Sequence, residues 1–112
     1  MPEPDVEVVR GVLLRIEKLF LDPSQYAELR RVAETLKADG FEHELIYCCF
    51  ASFHPRIPAE EPAVEDEYVL LLDWIASGAW SHGTGLFGKH ELDSERTDRF
   101  RGLVAELSSD AS

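Results

Sequence analysis

Apolar residues recur at steps of three and four along most of this 112-residue chain, a spacing that predicts α-helices with one buried face. It is found in segments 5–21, 23–38, 64–77 and 93–108. The second segment also has helix boundaries, since Asp22 and Pro23 stand at its start and Gly40 follows its end. With 41–53 counted as a further helix, the sequence predicts an all-α fold of about five helices.

Segment 41–53 is ambiguous because it is apolar on nearly every side. Its isoleucine, tyrosine, cysteines and phenylalanines favour a β-strand, whereas its uninterrupted length favours a helix. We prefer the helix and expect 41–53 and 64–77 to be the two central helices. An α+β fold with 41–53 as a buried strand is the alternative.

The length predicts one domain over residues 1–112, with frayed tails at 1–4 and 108–112. The longest run without a charged residue, histidine or proline is Leu45–Phe53, nine residues, against the roughly 20 that a membrane-spanning helix needs. The first residues lack the basic region of a signal peptide. We therefore predict a cytoplasmic protein with no membrane partner.

The acidic balance of the chain indicates the class of its partner. The formal net charge is −11, and segment 38–95 holds twelve acids against Arg56 and Lys89. Such a field repels nucleic-acid phosphates and anionic lipids, so we expect neither as a partner. It attracts basic proteins, and the acids predicted to meet such a partner are Glu60, Glu61, Glu65, Asp66 and Glu67.

Segment 78–91 places four glycines among large side chains. Long loops of this kind inside small domains are often functional, and aromatic residues dominate the energetics of protein interfaces. We therefore assign Trp80, His82 and Phe87 to the partner-binding surface. The alternative is that these aromatic side chains pack back onto the domain's own core.

Fragments of three motifs fail as catalytic or metal signatures. Residues 83–88 match GxGxxG but lack the flanking strands of a dinucleotide-binding unit. The pairs 43–44 and 90–91 begin HExxH without its second histidine. Cys48 and Cys49 are adjacent rather than in CxxC spacing, which is typical of small apolar residues in a reduced core. No catalytic residue, cofactor or metal ligand is predicted, although convergence of His54, His82 and His90 on a metal stays open.

These observations predict a small acidic protein-binding domain of the inhibitor, immunity, antitoxin or adaptor type, rather than an enzyme. One alternative is a self-associating structural domain, in which an apolar face of the first or fourth helix forms a homodimer. Another is a small enzyme or ligand-binding domain in which the 78–91 loop acts as a lid over His54, His82 and Asp73.

Overall fold

The computed structural model describes residues 6–76, 86 and 92–110. Within these residues the chain forms five α-helices and no β-strand, which confirms the all-α prediction and resolves 41–53 as helical. The helices are α1 (Val6–Leu19), α2 (Tyr26–Ala38), α3 (His43–Ala51), α4 (Pro62–Ala76) and α5 (Ser94–Asp110). Short 3₁₀ turns at Pro23–Gln25 and His54–Arg56 precede α2 and follow α3.

Local hydrogen bonds explain where two of the helices begin. Asp22 Oδ1 accepts from the backbone N–H of Ser24 at 3.1 Å and from its hydroxyl at 2.6 Å, and so caps the 3₁₀ turn Pro23–Gln25 with which the predicted 23–38 helix opens. Asp93 Oδ1 accepts from the backbone N–H of Arg96 at 3.0 Å. Asp93 is therefore the N-cap of α5, because it satisfies an N–H that has no partner within the helix.

Helix α3 lies at the centre of the fold, and seven of its nine residues are buried. It packs along α5 and α4 and also touches α1 and α2. Cys48 Sγ lies 3.3 Å from the Thr97 carbonyl, one turn beyond the contact between Glu44 and Asp93. Because both contacts advance in the same direction along the two helices, α3 and α5 run parallel.

Helix α4 is central on one face only. Its buried side carries Val64, Tyr68, Leu71 and Ile75. The sequence places Val69 and Leu70 in the same broad apolar arc, yet they are 37% and 57% exposed. The fourth helix therefore contributes one face to the core and presents the other to solvent.

An aromatic cluster positions the first half of α4. Tyr68 donates its hydroxyl proton to the Phe50 carbonyl, and its ring packs edge-on against Phe20 and Tyr26. The Phe20 ring lies 5.0 Å from that of Phe53. These contacts join α4 to the ends of α1 and α3, so they fix the position of the N-terminal half of α4 relative to those two helices.

One hydrophobic cluster draws side chains from all five helices. No helix in the described ranges is both long and apolar enough to cross a membrane. The predicted tail at 1–4 lies outside the described residues, as do residues 111–112 of the tail predicted at 108–112, whereas 108–110 form the end of α5.

Candidate functional site

The acids assigned to partner binding lie at the start of α4. Glu60 and Glu61 precede the helix, and Glu65, Asp66 and Glu67 belong to its first two turns. We call these five residues the acidic segment, and all five are exposed. Carboxylates in the first turn also stabilise a helix by offsetting its dipole, so Glu65 has a structural role as well.

The acidic segment is not neutralised by the part of the chain that the structure describes. The ion pairs there involve other acids, and they join Arg10 to Glu7, Arg31 to Glu28, Arg56 to Glu17 and Arg101 to Asp98. None of the described basic side chains pairs with a carboxylate of the acidic segment. Its negative charge is therefore available to a molecule outside the fold.

The exposed side of α4 continues beyond the acidic segment. We call Asp66, Val69, Leu70 and Asp73 the outward face, since all four side chains are exposed. Asp66 and Asp73 are two turns apart, about 10.5 Å along the helix axis, and the two aliphatic side chains lie in the turn between them. The apolar pattern of the sequence did not predict this face, although the buried stripe of α4 places these positions on the opposite side.

Trp80, His82 and Phe87 lie outside the described residues, and their assignment to the site stays a prediction. Leu86, from the same segment, is 7% exposed and belongs to the core. Its N–H donates to the Trp74 carbonyl at 2.8 Å, and its carbonyl accepts from Lys37 Nζ at 2.7 Å. The glycine-rich stretch thus supplies an apolar anchor that the sequence analysis did not single out.

The His43–Glu44 pair links three helices rather than holding a metal. His43 Nε2 lies 2.5 Å from the Ile75 carbonyl at the end of α4. Glu44, 2% exposed, accepts the Asp93 N–H at 3.0 Å just before α5. The N-terminal turn of α3 is therefore hydrogen-bonded both to the end of α4 and to the residue before α5.

The two cysteines are free and buried. Burial raises the pKa of the Cys48 thiol to about 11 and that of the Cys49 thiol to about 12. Both thiols are therefore protonated near neutral pH, where only a thiolate acts as a nucleophile or metal ligand. This state fits the predicted role of small apolar residues.

The residues of the enzyme and metal alternatives are not brought together by the described part of the chain. His54 lies in the turn after α3, Asp73 belongs to the outward face of α4, and His82 and His90 lie outside the described residues. His54 Nε2 is buried and makes no hydrogen bond to a described atom. Among the described residues, no group of three or more histidine, cysteine or acidic side chains is placed to hold a metal ion.

The chain matches no protein-family model, no curated protein and no solved structure. Its function is therefore argued from the residues and their geometry alone.

Proposed function

We propose that this protein is an acidic protein-binding domain whose acidic segment docks a basic protein partner. The observation that carries the proposal is the grouping of five exposed carboxylates at the start of α4, none paired with a described basic side chain. Inhibitor, immunity, antitoxin and adaptor roles all fit such a surface. A cytoplasmic location belongs to the same proposal and is supported by the two free thiols.

The physical basis is electrostatic steering. Complementary charge raises association rates by about 10- to 1,000-fold, and this gain falls steeply as salt screens the charges. Carboxylates grouped at and before the start of a well-packed helix supply a local field that does not have to be assembled during the encounter. The acidic segment should therefore act mainly on the association rate and less on dissociation.

Neutralisation of the acidic segment tests the proposal against a matched control. The test variant is E60Q/E61Q/E65Q/D66N/E67Q. The control variant is E34Q/D39N/E95Q/D98N/E106Q, which changes exposed acids on other elements. Each variant raises the formal net charge by five, from −11 to −6, and each removes one acid from the first turn of a helix. The two variants are thus matched in global charge.

Immobilised wild-type protein and both variants are exposed to host lysate at low salt, and retained proteins are measured by native mass spectrometry. We expect one basic protein to be retained stoichiometrically by the wild type and the control but not by the test variant. Its association rate with the test variant should fall about tenfold or more, with a flatter salt dependence. Equal retention on all three proteins, or no stoichiometric partner, contradicts the proposal.

A further inference from the structure

We infer that the partner contacts this protein through a basic amphipathic helix that lies along the outward face of α4 and buries Val69 and Leu70. This inference rests on the proposed function and narrows it. A polycationic partner without apolar side chains could bind through the acidic segment alone. Two features of the outward face carry it, namely the exposed aliphatic pair and the spacing of the carboxylates on either side.

The aliphatic pair requires an apolar contribution from the partner. Val69 and Leu70 are 37% and 57% exposed on a helix whose opposite side is fully packed. They lie between Asp66 and Asp73, so a partner that covers them also excludes water from the two flanking carboxylates. Ion pairs strengthen as the surrounding dielectric constant falls, provided that each carboxylate gains a cation that offsets its desolvation. Apolar contact and charge pairing therefore reinforce one another on this face.

The spacing of the carboxylates favours a helix in the partner. Asp66 and Asp73 are separated by about 10.5 Å along the axis of α4. A helix laid along α4 presents cations at i and i+7 with the same separation, and apolar side chains at i+3 and i+4 between them. In an extended strand, side chains on one face recur at about 6.7 Å steps, so 10.5 Å falls between two of them. A strand therefore matches the two carboxylates less well than a helix does.

Charge complementarity also argues against a second copy of this chain as the occupant. Exposed Leu14 and Leu21 near α1 offer apolar area for such a contact. Exposed Arg15 and Lys18 lie beside Leu14 on α1 as well, but each copy carries a formal charge of −11, so long-range repulsion opposes the association of two copies. The outward face is better matched by a helix of a partner with a net positive charge.

Two synthetic peptides of identical composition, each about 18 residues and long enough to form a helix, test the inference. One carries lysines at i and i+7 with leucines at i+3 and i+4 on one face, and the other scrambles these positions. The protein variant is V69Q/L70Q, which keeps the charge and does not lower helix propensity. The matched control is V8Q/L14Q, which removes a similarly exposed aliphatic pair from α1, 44% and 52% exposed.

Binding is measured by fluorescence anisotropy at low salt. We expect the wild type and V8Q/L14Q to bind the amphipathic peptide about tenfold more tightly than the scrambled one. V69Q/L70Q should lose this preference and retain the weaker, charge-driven binding of both peptides. Nuclear magnetic resonance shifts on the wild type should locate the amphipathic peptide on α4.

Equal binding of both peptides to the wild type, with V69Q/L70Q unaffected, overturns the inference. If E60Q/E61Q/E65Q/D66N/E67Q still weakens that binding, the proposed function survives; if it has no effect, the proposed function fails too. A dimer that forms with rising concentration and is dissolved by V69Q/L70Q, measured by light scattering, assigns the outward face to a second copy and likewise overturns the inference.

Discussion

At the scale of single residues, Cys48 and Cys49 show how burial converts a reactive group into a packing group. Both thiols lie in the most buried helix, and burial is the largest cause of their raised pKa values. Tyr26 follows the same physics, since burial raises the pKa of its hydroxyl to about 12. In each case the folded chain favours the protonated form more strongly than the unfolded chain does.

This difference predicts a loss of stability at alkaline pH. A cysteine of the unfolded chain ionises near the ordinary value of 9.0, below the folded values of about 11 and about 12. The unfolded state therefore releases its protons first, so stability is fully present below pH 9 and declines as the pH rises toward 11. Each thiol contributes a slope of up to about 1.4 kcal/mol per pH unit in that window.

Urea unfolding between about pH 8 and about pH 11 measures the effect. The variant C49A should show a shallower decline than the wild type, because it lacks one of the titrating groups. The matched replacement of an exposed hydroxyl, Ser94→Ala, should leave the slope unchanged. A free energy of unfolding that stays flat across this range in the wild type would show that the buried thiols ionise as freely as in the unfolded chain.

At the scale of elements, three glycines show how backbone conformation alone can decide whether an alanine substitution stabilises or destabilises the fold. A methyl group added at Gly11, Gly40 or Gly102 meets no atom within 4 Å. Gly11 and Gly102 lie on exposed sides of α1 and α5, whereas Gly40 has a φ of +91°, in the left-handed region. Because space is open at all three sites, the sign of each substitution depends on the backbone alone.

We expect G11A and G102A each to raise the free energy of unfolding by about 0.8 kcal/mol, since alanine loses less conformational entropy in a helix. G40A should lower it by about 1 kcal/mol, because a Cβ atom is strained at positive φ. Urea unfolding of the three variants checks both signs. A stabilising G40A would mean that the end of α2 has another low-energy conformation.

The elements also show what sequence reasoning can reach. Stripes such as Tyr26, Leu29, Val32 and Leu36 predict a helix because its periodicity is local, and the observed ends of α2 differ from the predicted ones by at most three residues. The exposure of Val69 and the burial of Leu86 were not predicted. Each depends on which neighbour packs against it, and that is decided by residues distant in sequence, such as Lys37 beside Leu86.

The same distinction between local and distant determinants applies to the candidate site. Exposure of the acidic segment follows from its composition, since unpaired carboxylates are almost never fully buried, and the structure confirms it. The outward face of α4 needs one further step, namely knowledge of which side of the helix the core covers. The hydrogen bond from Asp93 to Glu44 spans 49 residues, and no local pattern of residues predicts it.

At the scale of the whole molecule, the excess of negative charge couples stability to ionic strength. The formal charge is −11, and segment 38–95 carries twelve acids against two bases. At about 20 mM salt the Debye length is roughly 20 Å, so carboxylates on different helices repel one another across the fold; at about 200 mM it falls to roughly 7 Å. Compact states with large net charge are destabilised by this repulsion.

We expect added sodium chloride to raise the free energy of unfolding of the wild type by about 1 kcal/mol between these two concentrations. The variant E60Q/E61Q/E65Q/D66N/E67Q should lose about half of that gain, because the substituted acids lie within eight consecutive positions and repel one another at short range. The control variant E34Q/D39N/E95Q/D98N/E106Q has the same net charge but removes acids that are spread over α2, the residue that follows it and α5, so it should keep more of the gain. Thermal and urea unfolding at both salt concentrations measure the difference.

If stability instead falls with salt, the exposed ion pairs such as Arg101–Asp98 outweigh the repulsion. The expected rise has the opposite sign to the salt dependence of partner association, so the same carboxylates would destabilise the free domain while steering its partner.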